Sequence, residues 1–338
     1  MKPKEAVIAV TYRCNAKCAM CNIWKNPDPE ELAPEEYLKL PTALKTINVT
    51  GGEPFLRKDL VEVVKNIHNR VPDARLVFST NGFRTDLITS TMKQIQNFHE
   101  KVGVGVSIDG MEATHEKVRG VPGVFKNAVS TVQELRRMGI NDLRIGMTLQ
   151  RDNVDEAHLV FNLSKELGVQ FTTTFAHNSE VYFQKMDNAA LESFEPTYEA
   201  LYTVLNCQLR SRSVKDWFRA YHIRGILDKS LREEFISKCE AGRRFFFMSP
   251  RGDVFPCMVM NMPIGNIREV RNWDELFTSD VETKVAKAVK ACKEDCWMVC
   301  NTRSLIVAHP LRASAWVVKS KAKAHFGNHN KGQSARRS

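Results

Sequence analysis

The 338-residue chain is 43% hydrophobic and 26% charged, which excludes a disordered or fibrous protein and supplies a sizeable core. It has no apolar run of about eighteen residues, so a membrane-spanning helix is excluded. Of the formal charge of +10, residues 309–338 contribute +7 with no acid, leaving +3 for the body, so no nucleic-acid partner is expected.

Six β-rich runs, at residues 6–11, 46–50, 75–79, 103–108, 143–149 and 169–175, alternate with amphipathic segments. Those segments lie at 35–40, 58–69, 87–98, 125–138 and 155–167. The alternation predicts a parallel sheet with right-handed crossovers, and the largely apolar runs predict strands covered on both faces. Residues 1–187 are therefore expected to form an α/β fold, a partial (β/α)6 barrel of the TIM type. Its chemistry belongs at the C-terminal ends of the strands. The loops after strands one to four read TYRCNAKCAMC, TGGEP, STNGF and SIDGMEATHEKVRG, so the unusual residues gather at that end. Residues 188–237 read as a helical linker and 238–303 as a small cysteine-bearing unit with a β-like run at 244–248. Residues 304–338 form a basic tail whose end reads as disordered. No secretory pattern precedes the first strand, and a cytoplasmic location is expected.

Eight of the nine cysteines fall in two groups, a pattern of metal ligation rather than of a disulfide framework. Cys207 stands alone and reads as a small buried apolar residue. The first group is Cys14, Cys18 and Cys21, spaced C-x3-C-x2-C directly after strand one. A structural zinc site needs four donors. Three thiolates with one position open suit an iron–sulfur cluster whose free iron takes a non-protein ligand.

This loop resembles the hallmark of the radical S-adenosylmethionine (SAM) superfamily. The resemblance implies a [4Fe–4S] cluster on Cys14, Cys18 and Cys21 whose open iron is chelated by SAM. Reductive cleavage of SAM would then give a 5′-deoxyadenosyl radical that abstracts a substrate hydrogen. Gly51, Gly52, Glu53 and Pro54 match the family's GGEP motif for the SAM amino group; the paired glycines are expected to let backbone approach the ligand. Asn81, Ser107, Asp109, Arg119 and Asn153 match positions lining the SAM pocket. Ser107 and Asp109 are suited to ribose hydroxyls and Arg119 to the methionine carboxylate. The family usually has an aromatic residue just before the third cysteine; Met20 stands there, and its thioether can pack on adenine.

The second group begins with CEAGRRFFFMSPRGDVFPC, placing Cys239 and Cys257 around a predicted hairpin that turns at Gly252. CKEDCWMVC then supplies Cys292, Cys296 and Cys300. This resembles the C-terminal extension of SPASM and twitch radical SAM enzymes. Five cysteines are too few for two auxiliary clusters, so one auxiliary [4Fe–4S] cluster is expected on Cys239, Cys257 and two of the last three. A structural zinc here is the alternative.

Sulfatase-maturing relatives have an Asp directly after the second cysteine of this motif; Met258 in its place argues against that reaction. The expected activity is oxidation or other modification of a small molecule or sugar, with a flavodoxin- or ferredoxin-type reductant. Oxidation would need a base, and His177, Glu180 and Tyr12 lie near the ends of strands six and one. Alternatives are a maturase of ribosomal peptides served by a separate leader-binding protein, and modification of a lipid or lipid-linked substrate. The lipid alternative follows from the basic helix read at 311–326, which suits peripheral membrane contact or packing on the body. Outside the enzymes stands a zinc-binding scaffold.

Overall fold

The computed structural model describes residues 2–25, 30–188, 198–236, 238–294 and 296–326; the side chains of Phe235, Ile236, Cys300 and Phe326 lie outside that description. The disorder expected for the end of the tail therefore falls on residues outside it.

All six predicted runs are strands, with ends shifted by about a residue. They are β1 Glu5–Thr11, β2 Thr46–Gly51, β3 Arg75–Thr80, β4 Val102–Ser107, β5 Asp142–Leu149 and β6 Gln170–Phe175. Each pairs parallel with the next in chain order. Between β2 and β6 run α1 Leu60–Arg70, α2 Thr85–Gln96, α3 Glu112–Arg119, α4 Val124–Arg137 and α5 Ala157–Glu166. Alternate strand residues such as Ile8, Val49, Phe78, Val104 and Ile145 enter one core with these helices. The other set of strand residues faces the barrel lumen.

Three expectations change, the first being that Cys207, read as buried, is exposed. Residues 35–40 are not an α-helix but a 3-10 helix over Pro34–Lys39, a segment bounded by Pro34 and Pro41. The loop read after strand four contains α3, whose eight residues are mostly polar and whose buried face is made of His115, Val118 and Arg119. Gly120 ends it at φ +66° with its N–H on the Glu116 carbonyl.

Beyond β6, α6 Glu199–Arg210, α7 Val214–Leu227 and α8 Lys229–Ile236 fill the helical stretch. The predicted hairpin follows as β7 Phe245–Met248 and β8 Asp253–Phe255, antiparallel, with Gly252 at φ +97° in the turn. A short β9, Gly265–Asn266, completes it, followed by α9 Ser279–Ala291 and α10 Val299–Ala308. The hairpin joins the barrel: β7 pairs parallel with β1, giving one sheet ordered β6-β5-β4-β3-β2-β1-β7-β8-β9.

The tail forms α11, Pro310–Phe326, and packs on α6 and α7. Ala313 and Val317 are buried, and Trp316 meets Tyr221 edge-on with ring centroids 5.3 Å apart. Lys321 donates to the carbonyls of Leu209 and Ser211 at 2.9 and 2.8 Å. Among the described residues no helix is long and apolar enough to cross a membrane.

Candidate active site at the barrel mouth

The cysteine loop leaves β1 and is tied down by backbone hydrogen bonds from several sides. Gly52 N donates to Thr11 O and Glu53 N to Arg13 O, both at 2.8 Å. Lys17 N reaches Arg119 O and Ala19 N reaches Val118 O, both at 2.9 Å. Asn81 Nδ2 donates to Asn15 Oδ1 at 2.7 Å. The turns after β2 and β3 and the end of α3 thus converge on the three cysteines, as the order of the strands requires.

A Cβ at Gly51 would stand 2.1 Å from Thr11 O, and one at Gly52 would stand 2.3 Å from Arg13 O. The glycines therefore make room for the chain's own cysteine loop, a reason that stands beside the ligand approach expected of them. Pro54 starts a 3-10 turn after Glu53. The Glu53 carboxylate is buried and accepts from Thr80 Oγ1 at 2.8 Å, Asn81 N at 2.7 Å and Phe55 N at 3.4 Å. Burial dominates over those donors and pushes its pKa up to about 7.

Arg119 pairs with the fully buried Asp109 at 2.6 Å and reaches Cys18 Sγ at 3.6 Å. The second Asp109 oxygen accepts from Thr148 N at 2.7 Å. Asn153 donates to the carbonyls of Asp109 and Thr148, each at 2.9 Å, and accepts from Gln150 N. Asp109 and Asn153 are thus engaged within the protein, behind Arg119. Ser107 is half-buried at the top of β4. Met20 is buried against Val118 and Ala176, with Gln150 Nε2 3.7 Å from its sulfur.

The donor chemistry suits an iron–sulfur group. Burial pushes the Cys14 and Cys21 thiols up to about 12, and the neighbouring thiols of the loop add to it. Thiolates in this loop need a positively charged partner such as a cluster supplies. Among the described residues no three His, Cys, Asp or Glu side chains converge at single-ion distance.

Cys239, Cys257, Cys292 and Cys296 line one cavity of about 40 Å³, walled by Phe245, Phe247, Val289 and Met298. Asn301 sits between two of them, 3.9 Å from Cys239 Sγ and 3.8 Å from Cys296 Sγ. Burial raises Cys239 to about 12, with Cys257 and Cys292 adding to it. The Cys300 thiol lies outside the described side chains.

The candidate bases are not brought together at one point. His177 is buried, stacked on Phe175 at 4.0 Å, and its Nε2 accepts from Trp297 N at 3.1 Å. Glu180 is exposed and accepts from Asn261. Tyr12 is buried and donates to Val181 O at 3.1 Å, and burial raises its pKa.

Apart from Glu180, residues 178–188 carried no expectation from the sequence, and they join the two cysteine sites. Asn22 N donates to Phe183 O and Asn188 Nδ2 to Met20 O, while Ser179 Oγ donates to Met258 O. Tyr182 OH lies 2.8 Å from Thr50 Oγ1 beside the GGEP turn. Only the clustered Asn, Ser and Tyr of this stretch could have signalled it.

A family model described as the radical SAM superfamily matches residues 8–163, and one described as an iron–sulfur cluster-binding domain, SPASM, matches residues 239–301. The chain is 27% identical over 285 residues to an AdoMet-dependent heme synthase of Methanosarcina barkeri, spanning 79% of this chain and 80% of that one. It is 26% identical over 310 residues to the mycofactocin maturase MftC of Mycolicibacterium smegmatis, spanning 84% and 74%. Native anSMEcpe, solved with bound AdoMet and Cp18Cys peptide, shares the fold at a TM-score of 0.60 and 15% identity, over 94% of this chain and 99% of that one. The chain belongs to the radical SAM superfamily and is an enzyme of its SPASM subgroup, using SAM with a [4Fe–4S] cluster and an auxiliary iron–sulfur cluster.

Proposed function

We propose that the chain abstracts a hydrogen atom from a polar small molecule or sugar held in the barrel lumen. The observation that carries this is the convergence of the cysteine loop, the GGEP turn and Arg119 at the mouth of a lumen lined by polar side chains and glycines. When bound, SAM and its cluster supply the 5′-deoxyadenosyl radical. Cys14, Cys18 and Cys21 hold that cluster, and Gly51 to Pro54, Asn81 and Ser107 shape the SAM pocket around Met20. Asp109 and Asn153 act behind Arg119, fixing its guanidinium beside Cys18. Cys239, Cys257, Cys292 and Cys296 hold the auxiliary cluster, a choice supported by their shared cavity. His177 is a positioning residue on this arrangement, since its ring nitrogen is spent on the backbone that follows Cys296. A low-potential donor of the flavodoxin or ferredoxin type supplies the electron.

A second reading, maturation of a peptide, is favoured by the similarity to the maturase MftC and to anSMEcpe with its bound peptide. A lipid-linked substrate draws no support from α11, whose Ala313, Trp316 and Val317 are used by the body.

The test is anaerobic reconstitution followed by metal, sulfide and turnover analysis. Wild type should hold about eight irons per chain with matching sulfide. Cys14→Ala and Cys257→Ala should each fall to about four. With dithionite and SAM, Cys14→Ala should form no 5′-deoxyadenosine. Zinc without sulfide would refute the proposal, and about four irons in wild type would reject the second cluster.

A further inference from the structure

Along β5, Leu143, Ile145, Met147 and Leu149 enter the outer core, so Asp142, Arg144, Gly146 and Thr148 face the lumen. In register, Arg144 stands between Gly105 and Gln170, and Gly146 between Ser107 and Thr172. A Cβ on Gly105 would lie 3.2 Å from Arg144 Nε, so the arginine side chain crosses this glycine. A Cβ on Gly146 would meet nothing within 4 Å. The lumen is therefore open just above Arg144; further up, beside Thr148, Thr174 Oγ1 is buried without a hydrogen-bond partner among the described residues.

Around Arg144 the neighbouring arginines and Asp142 have partners, while Glu5, a buried carboxylate on the lumen side of β1, lies near Arg303, Arg244 and Arg75. Asp142 pairs with Arg75 and lies 4.0 Å from Lys215 Nζ. Arg219 is held by Asp216 and Gln170, and Arg303 donates to Thr46 Oγ1 at 2.9 Å. Among the described residues, no hydrogen bond or ion pair engages the Arg144 guanidinium. Burial and the nearby Arg75, Arg219 and Arg303 lower its pKa to about 10 against the pull of Asp142. Arg144 is half-buried and its nearest carboxylate, Asp142, is engaged by Arg75, so an anionic ligand would offset the cost of a cation partly removed from water.

We propose that Arg144 reads a carboxylate or phosphate on the substrate at the floor of the lumen. This rests on the proposed use of the lumen as substrate pocket. Thr148, on the same face of β5, touches the Asp109–Arg119 pair beside Cys18. Arg144 lies four residues below it, about 13 Å along the strand. The substrate thus presents its reacting carbon at the mouth and its anionic end inside.

The experiment titrates glutarate and, separately, inorganic phosphate into SAM-loaded holoenzyme by calorimetry. Wild type should bind one of the two at a single site, and which one distinguishes a carboxylate from a phosphate substrate. Arg144→Met should weaken that binding by about tenfold or more, as expected for loss of a charge-assisted pair, and Arg144→Lys should restore part of it. Gly146→Leu keeps the arginine and fills the open lumen, so it should also abolish binding; it decides the matter if Arg144→Met fails to fold by circular dichroism. Binding of neither anion to wild type, or equal affinity in wild type, Arg144→Met and Gly146→Leu, would overturn the proposal. Formation of 5′-deoxyadenosine by wild type without either anion reports separately on the radical chemistry.

Discussion

Glu53 is a carboxylate surrounded by donors and removed from water, and the two influences oppose each other. The hydrogen bonds from Thr80, Asn81 and Phe55 favour the ionised form, and burial favours the neutral one more strongly. With the folded pKa raised to about 7 from an ordinary 4.5, the folded state holds the proton more tightly than the unfolded chain. Its contribution to stability is therefore complete at low pH and is lost as pH rises from 4.5 through 7. Glu53→Gln does not titrate, so wild type's advantage over the variant should shrink across that window, by at most about 3 kcal/mol. Urea midpoints at several pH values measure this, and a constant difference would refute it. The GGEP motif was legible as a motif, and its spacing after strand two located it. The reason for its glycines was not, because the clash with Thr11 O and Arg13 O exists only once β1 and β2 are paired in register. The Asp109–Arg119 pair was hidden for the same reason: neither residue type announces which neighbour it will choose.

Among the helices, α7 contains a glycine that local propensity would replace. Ala in place of Gly225 should stabilise an exposed helix by about 1 kcal/mol. Here a Cβ would lie 2.0 Å from the Trp297 ring, which is buried, donates from Nε1 to His222 O at 2.8 Å and stacks on His222. Packing reverses the sign: Gly225→Ala should cost about 1–3 kcal/mol, and a second change, Trp297→Phe, should recover part of it. A stabilised Gly225→Ala in chemical denaturation would sink this account. Elements with an apolar period were readable, as the six strands and most barrel helices show. Polar α3 was not, because its contribution lies in the carbonyls of Val118 and Arg119 that hold the cysteine loop. Nor was the use made of residues 178–188, whose hydrogen bonds reach the cysteine loop and Met258 from far along the chain.

At the scale of the molecule, the sequence divides into a barrel and a cysteine-bearing unit, but the sheet runs through both. β1 is hydrogen-bonded to β2 on one side and to β7 on the other. Arg303 on α10 crosses to Thr46 on β2, and Trp297 is anchored to both His177 and His222. Composition and cysteine spacing showed two groups of cysteines; the β1–β7 pairing is a long-range register that no local pattern encodes. The pairing has a mechanical consequence. Losing the hairpin would strip β1 of its backbone partners on one edge and expose Phe246 and Phe247, both fully buried. The two regions should therefore unfold together. Under anaerobic urea denaturation of the holoenzyme, far-UV ellipticity, weighted to the helices outside the cysteine-bearing unit, and cluster absorbance should decay with one midpoint. Phe247→Ala, on β7 and packed edge-on against Tyr182, should lower both signals' midpoints equally, by about 3–5 kcal/mol of stability. Two separated transitions, with only the cluster signal moved by Phe247→Ala, would show that the shared sheet does not couple them.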